Sequence, residues 1–257
     1  MAAESERARQ RAEATELRTA LLSSVGHDLH TPLTSIKAAI DSMRSPRLQL
    51  SSADTSELMA TIAESSGRLI GLVDNLLDPS RLAAGVVTAQ LRPVRYEEGV
   101  AGAFSSISER HLVCAELDDR VPLVVADPGL LGRVVANLID NALRHGCAAA
   151  EQLADEGLAL AAVRRVAIRA SGYADRVELR VVDHGPGLHK TVLETAFIPF
   201  QRLGDRQTST GTGLGLSVAK GFVEAMNGTI TAEATPGGGL TVVVSLPAYD
   251  PAKECSA

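Results

Sequence analysis

Up to about residue 80, apolar positions recur at intervals of three and four. Leu17, Leu21, Val25, Leu29, Leu33, Ile36, Ile40 and Met43 form one such stripe, the pattern of a helix that faces a partner helix along a seam. Ser45-Pro46 ends it, because a residue before proline is biased away from helical backbone. A second stripe follows in Leu58, Ile62, Ser65, Leu69, Leu72 and Leu76, and Asp54 with Glu57 predicts a capping box at its start. Adjacent apolar residues, Leu22, Ile70, Val73 and Leu77, widen both stripes beyond what one helix covers. Two hairpins paired as a four-helix bundle would bury them, so a homodimer is expected.

Beyond residue 86 the period changes, and short Val-rich runs alternate with helical patterns. Strands are expected near 87–94, 112–117, 123–126, 164–171 and 176–182, with a closing hairpin of 228–234 and 240–246. Helices are expected at 96–108, 128–145 and 214–226, and the Ala- and Leu-rich stretch 147–163 reads as an extra helix. The organisation is a helical hairpin over 1–80 followed by an α+β domain over 87–250.

Composition narrows the class. Of the 257 residues, 45% are hydrophobic and 22% charged, which excludes wholesale disorder. A net charge of −6 with 3% aromatics argues against nucleic acid as a partner. Cys114, Cys147 and Cys255 lie far apart with no C-x-x-C, as expected for reduced thiols in a cytoplasmic compartment. The charged start Met1-Ala2-Ala3-Glu4-Ser5-Glu6-Arg7 is no signal peptide, and no apolar run approaches the ~18–20 residues of a membrane span. The chain as given is expected to be soluble, without membrane contact of its own; whether a longer, membrane-anchored parent exists is left open.

Four segments could carry chemistry. In Ser24-Val25-Gly26-His27-Asp28-Leu29-His30-Thr31-Pro32-Leu33, His27 lies about 160° around the helix from Val25 and Leu29, away from the seam. A neutral imidazole there can act as a nucleophile, with Asp28 accepting a hydrogen bond from its other nitrogen. Thr31 is one turn on, positioned to hold a water. An exposed histidine usually does nothing; Pro32 inside the helix, costing on the order of 3 kcal/mol unless its bend is used, argues otherwise. Asn137 and Asn141, four apart, project from one helical face, and paired amide oxygens suit a hard cation such as Mg²⁺. In Val181-Val182-Asp183-His184-Gly185-Pro186-Gly187, a buried strand ends in a carboxylate and a glycine turn that lets a flat base approach. Gly211-Thr212-Gly213-Leu214-Gly215-Leu216 opens a helix, offering free N–H groups to phosphate. It is neither a dinucleotide fingerprint, since position 216 is Leu, nor a P-loop, since Gly-Lys-Ser and Gly-Lys-Thr do not occur.

Together, in this order, these segments resemble the sensor histidine kinases of two-component systems over about residues 15–247. They correspond to the phosphoacceptor box, the N-box and two glycine boxes, with Phe197-Ile198-Pro199-Phe200 as the F-box. The endings Gly221–Gly228 and Thr235–Thr241 look like the KdpD branch. The resemblance implies a dimerising hairpin beside an α+β sandwich of the Bergerat (GHKL) type that binds ATP and Mg²⁺. It makes His27 the phosphoryl acceptor, Asp28 its general base and Thr31 the residue orienting water for dephosphorylation of a response regulator. Asn141, with Asn137, would hold the metal; Asp183 would read adenine in a pocket shaped by Gly185 and Gly187. Gly211, Thr212, Gly213, Leu214 and Gly215 would receive the phosphates beneath a lid of roughly residues 201–212, from which Arg202 or Arg206 adds positive charge. Arg144 and His145 stand where the family often has groups near phosphate or ribose.

Four departures bear on this, one of them the shortness of the lid. His30 stands where Arg or Lys is common, Pro79 replaces an apolar residue and is expected to break the second helix early, and the 147–163 insertion directly follows the N-box. The implied activity is ATP-dependent autophosphorylation on His27 and transfer to an aspartate of a response regulator. The alternatives are an ATP-binding regulatory or phosphatase module without kinase output, and a helical dimerisation protein whose glycines are only turns.

Overall fold

The helical period of the first part of the chain is realised as helix. A computed structural model describes residues 26, 29–45, 48, 50–83, 89–105, 107, 109–146, 166–193, 195–199 and 213–254. The expected helix at 147–163 and the lid at 201–212 lie outside the described residues. The chain divides into two compact units, one ending at Leu76 and the other holding the described residues from Leu77 onward.

Helix α1 covers residues 29–44 in the first unit, and α2 covers Ser52–Ala83, beginning in that unit and running on past Leu76. The cap of α2 differs from expectation. Asp54 Oδ2 accepts both the Ser51 N–H and the Ser51 hydroxyl at 2.8 Å, while the Asp54 N–H donates to Ser51 Oγ at 3.1 Å. The box is therefore Ser51–Asp54, not Asp54–Glu57, because Ser51 is the last residue before the helix. The backbone and hydroxyl bonds from Ser51 hold the Asp54 carboxyl below its ordinary pKa. Nor does Pro79 end α2, which runs on to Ala83. A proline removes one N–H from the ladder, but its fixed φ is itself helical.

The predicted seam is kept in part. Ser65 is buried and Leu29, Ile36, Leu58, Ile62, Leu69 and Leu72 are half-buried, whereas Leu33 (53% exposed) and Ile40 (39%) stand out while Pro32 and Ala39 beside them are buried. Ile70, Val73 and Leu77 are exposed, as the widened stripe implied. On α1 the small Pro32 and Ala39 are deepest, with two of the long aliphatic residues left outside.

The second unit is built on a mixed five-stranded sheet in the order β2-β4-β5-β7-β6. Its strands are β2 Val113–Glu116, β4 Val166–Gly172, β5 Arg176–Val182, β6 Thr229–Ala234 and β7 Leu240–Pro247. Among the described strands only β2 and β4 pair in parallel. A separate antiparallel pair, β1 Arg92–Val94 with β3 Val124–Ala126, replaces the longer strand expected at 87–94, since β3 offers β1 only three partners. The helices are α3 Tyr96–Phe104, ending short of residue 108, α4 Pro128–Gly146, α5 Lys190–Leu193, α6 Gly215–Ala225 and α7 Pro251–Glu254. No helix among the described residues is long and apolar enough to cross a membrane.

The amphipathic helix α4 centres the core. It turns Leu131, Val134, Val135, Leu138, Ile139 and Ala142 inward, and packs against α3, α6 and the sheet. Tyr96 of α3 is buried and donates its hydroxyl to the Val177 carbonyl at 3.1 Å, tying that helix to β5. Phe222 of α6 is fully buried, with the Arg133 guanidinium of α4 5.1 Å from its ring centroid. Truncating this ring removes contacts that hold α6 on α4. Phe222→Ala is expected to lower stability by about 3–5 kcal/mol, read from the midpoint of urea unfolding.

Candidate nucleotide site

The last residue of β5 is Val182, and the next, Asp183, is 4% exposed. Its N–H donates to the Leu240 carbonyl at 3.0 Å. Its Oδ1 accepts two backbone N–H groups, from Gly185 at 2.9 Å and Leu240 at 3.1 Å. Among the described residues Oδ2 receives no hydrogen bond. Burial raises the pKa of this carboxyl above its ordinary value, opposed by the two backbone bonds and more weakly by His145 and His184.

Close approach to Asp183 is made possible by glycines from three elements. A Cβ at Gly146, the last residue of α4, would lie 2.8 Å from the Asp183 Cβ, and one at Gly185 would lie 2.5 Å from the His145 carbonyl oxygen. Gly187 has φ +69°, and a Cβ there would meet the Gly239 carbonyl oxygen at 2.8 Å. Gly239, in the turn between β6 and β7, abuts the Asp183 carbonyl. The loop 183–187 is thus gripped between the C-terminal end of α4 and the β6–β7 turn.

Spacing along the chain does not single out Gly146, Gly239 and Leu240 as site residues. Gly146 follows the N-box helix pattern as a terminating glycine would. The part played by Gly239 and Leu240 depends on a pairing across 57 positions in the chain, which local pattern does not express.

Asn137 and Asn141 are half-buried on the outer side of α4, and neither amide makes a side-chain hydrogen bond among the described residues. Two unengaged amide oxygens one turn apart fit a hard divalent cation. No group of three His, Cys, Asp or Glu side chains gathers as an alternative among the described residues. Arg144 directs its Nε to the Asp140 carboxylate at 2.9 Å. The imidazole of His145 has its pKa lowered, first by desolvation and then by the Arg144 charge.

Helix α6 begins beside Gly213, whose φ is +65°. The residue before the helix, Leu214, is 1% exposed and supplies no side-chain cap, so only its backbone is offered to a ligand. Gly215 opens the helix, and among the described residues an added Cβ there would meet nothing within 4 Å, so none of them covers the first turn at this point.

The other candidate residues that the sequence marks, His27, Asp28, Arg202, Arg206, Gly211 and Thr212, lie outside the described residues. Thr31 is exposed on α1 in the first unit. His30, one position earlier, shares a 3.1 Å bond between its Nδ1 and the Thr34 hydroxyl. In the F-box, Phe197 is half-buried and Ile198 exposed.

The chain is similar to known proteins. Residues 126–250 match the histidine kinase-, DNA gyrase B-, and HSP90-like ATPase family, and residues 17–85 match the His Kinase A (phospho-acceptor) domain. Sensor protein KdpD of Mycobacterium tuberculosis is 46% identical over 257 residues, spanning 96% of this chain and 28% of that protein. KdpD of Escherichia coli K12 is 30% identical, spanning 96% of this chain and 26% of that protein. The chain therefore spans under a third of these relatives' length. Among solved structures, the Acinetobacter baumannii histidine kinase AdeS shares the fold at TM-score 0.56 and 20% identity, over 87% of this chain and 98% of that one. Histidine kinase ThkA, in its complex with response regulator protein TrrA, does so at TM-score 0.57 and 20% identity, over 96% and 66%.

The raised pKa of Asp183 gives the site a pH signature. Folded protein binds this proton more readily than unfolded protein, so the carboxyl favours folding in acid and the advantage is lost as pH rises through its folded pKa. Asparagine does not titrate. Stability of the ligand-free wild type relative to Asp183→Asn is expected to fall as pH rises through and above the ordinary carboxylate range, in paired urea titrations.

Proposed function

Because the chain belongs to the sensor histidine kinases, in their KdpD-like branch, we propose that it binds ATP, autophosphorylates on His27 and passes the phosphoryl group to an aspartate of a response regulator. The observation that most supports nucleotide binding is the half-satisfied carboxylate of Asp183. One oxygen is held by two backbone N–H groups, and the other, buried and unpartnered among the described residues, suits the exocyclic amino group of adenine.

In this reading the base lies against the Gly185–Gly187 loop and the triphosphate reaches the uncapped start of α6. Asn141 and Asn137 would hold Mg²⁺, which supplies charge neutralisation on the phosphates when bound. Phosphoryl transfer demands little covalent chemistry from the protein beyond alignment and charge. A ring nitrogen of neutral His27 forms the N–P bond as the bond to the ADP leaving oxygen breaks. Asp28 takes the proton from the other nitrogen. Arg202 or Arg206 of the lid would stabilise charge on the γ-phosphoryl group.

Transfer onward breaks the N–P bond and forms an acyl phosphate on the regulator's aspartate. Thr31 would orient water for the reverse duty of dephosphorylation. The apolar residues left exposed on the hairpin, Leu33, Ile40, Ile70 and Val73, support a homodimer through this unit.

Incubation with γ-labelled ATP is expected to place acid-labile label on the wild type and on His30→Gln, and none on His27→Gln. Label that survives His27→Gln but not His30→Gln overturns the acceptor assignment; binding of nucleotide without label favours a regulatory module without kinase output. Asp183→Asn keeps an acceptor for Gly185 and Leu240 but turns a donor toward adenine. It is expected to weaken ATP binding at least about tenfold while leaving the fold intact, by calorimetry and circular dichroism.

A further inference from the structure

The carboxylate that would read the base is oriented in part from a turn whose backbone has unusual freedom. Gly237, Gly238 and Gly239 have φ of +89°, +109° and +109° in succession. A run of glycines loses more conformational entropy on ordering than any other sequence, so something must close it. Two backbone bonds do part of this: the Thr235 N–H donates to the Gly239 carbonyl at 3.1 Å and the Gly238 N–H to the Thr235 carbonyl at 3.0 Å. Across the base of the turn, the hydroxyls of Thr235 and Thr241 meet at 2.9 Å, both residues being buried. A hydroxyl buried without a partner is costly, and here each is the other's partner.

The position of this pair matters. Thr241 is the register partner of Val182, the residue before Asp183. Leu240, its neighbour, donates to Asp183 Oδ1 and accepts from the Asp183 N–H. The same turn backs the base wall, because Gly239 lies against both Asp183 and Gly187.

We infer that Thr235 and Thr241 are positioning residues for base recognition: their hydroxyl bond closes the triple-glycine turn so that Leu240 keeps Asp183 aimed at adenine. The inference rests on the adenine reading of Asp183. It assigns to the β6–β7 turn the discrimination between adenine and a base with no amino group at that place.

The test is binding of ADP and GDP to the full chain by calorimetry, with Thr235→Val, Thr241→Val, the double variant, and the corresponding Ser substitutions. Valine matches threonine in shape but cannot make the bond. Each Val variant is expected to lose about three- to tenfold in ADP affinity with GDP binding unchanged. The double variant should lose no more than either single one, since one bond is at stake, and Ser should restore the wild-type ratio. A preference for ADP that survives both Val substitutions overturns the role of the pair, and so does an equal loss for ADP and GDP. A wild-type chain that binds both nucleotides alike overturns instead the adenine reading on which the inference stands.

Discussion

A carboxylate taken out of water has to be held by something, and at Asp183 the holding is done by backbone. Two N–H groups, one two residues along and one from the start of β7, converge on a single oxygen. Everything nearby follows from that convergence. The chain must turn sharply after β5, α4 must end where its last residue can touch Asp183, and the β6–β7 turn must fold over the same point. Side chains would block each approach, and glycine occupies all three contacts. The arrangement leaves the other oxygen without an internal partner among the described residues, at the end of a strand and deep in the fold. A fold that merely had to be stable would gain by removing this group; a site that must select a ligand gains by keeping it.

The elements around this point are largely legible in the chain. Alternation marks β5, the 3.6-residue period marks α4, and both occupy nearly the expected positions. Their legibility has a physical cause: each buries one face continuously, so the pattern is written along its whole length. What fails to show is set by partners. Strand β1 is cut to three residues by the length of β3. Leu33 and Ile40 read as seam residues because they carry the right spacing, yet on α1 the buried positions are their neighbours Pro32 and Ala39. Spacing identifies a face but does not say which of two adjacent stripes lies deepest when small residues permit close approach.

The candidate site divides in the same way. Asp183, Gly185, Gly187, Asn137 and Asn141 stand out because their types are unusual at a strand end or on a helix face. The contributions of Gly146, Gly239 and Leu240 are backbone contributions. A main-chain N–H is present at every residue but proline, so nothing in a side-chain pattern marks the one that is used. Capping at α2 shows a milder version of the problem. Ser51 and Asp54 compete with Asp54 and Glu57 as a box, and only the position of the first helical turn decides between them.

The bare start of α6 has a consequence for the chain as a whole. Most helices finish their first turn with a serine, threonine, asparagine or aspartate of their own, whereas here a leucine buried in the core holds that place. Among the described residues no side chain supplies those bonds, which leaves the N–H groups of the first turn to an outside acceptor. Any anion that completes them binds the folded chain and not the unfolded one, so it adds to folding free energy in proportion to the logarithm of its concentration. Resistance to heat is then a variable quantity, rising and falling with the supply of whatever occupies that end.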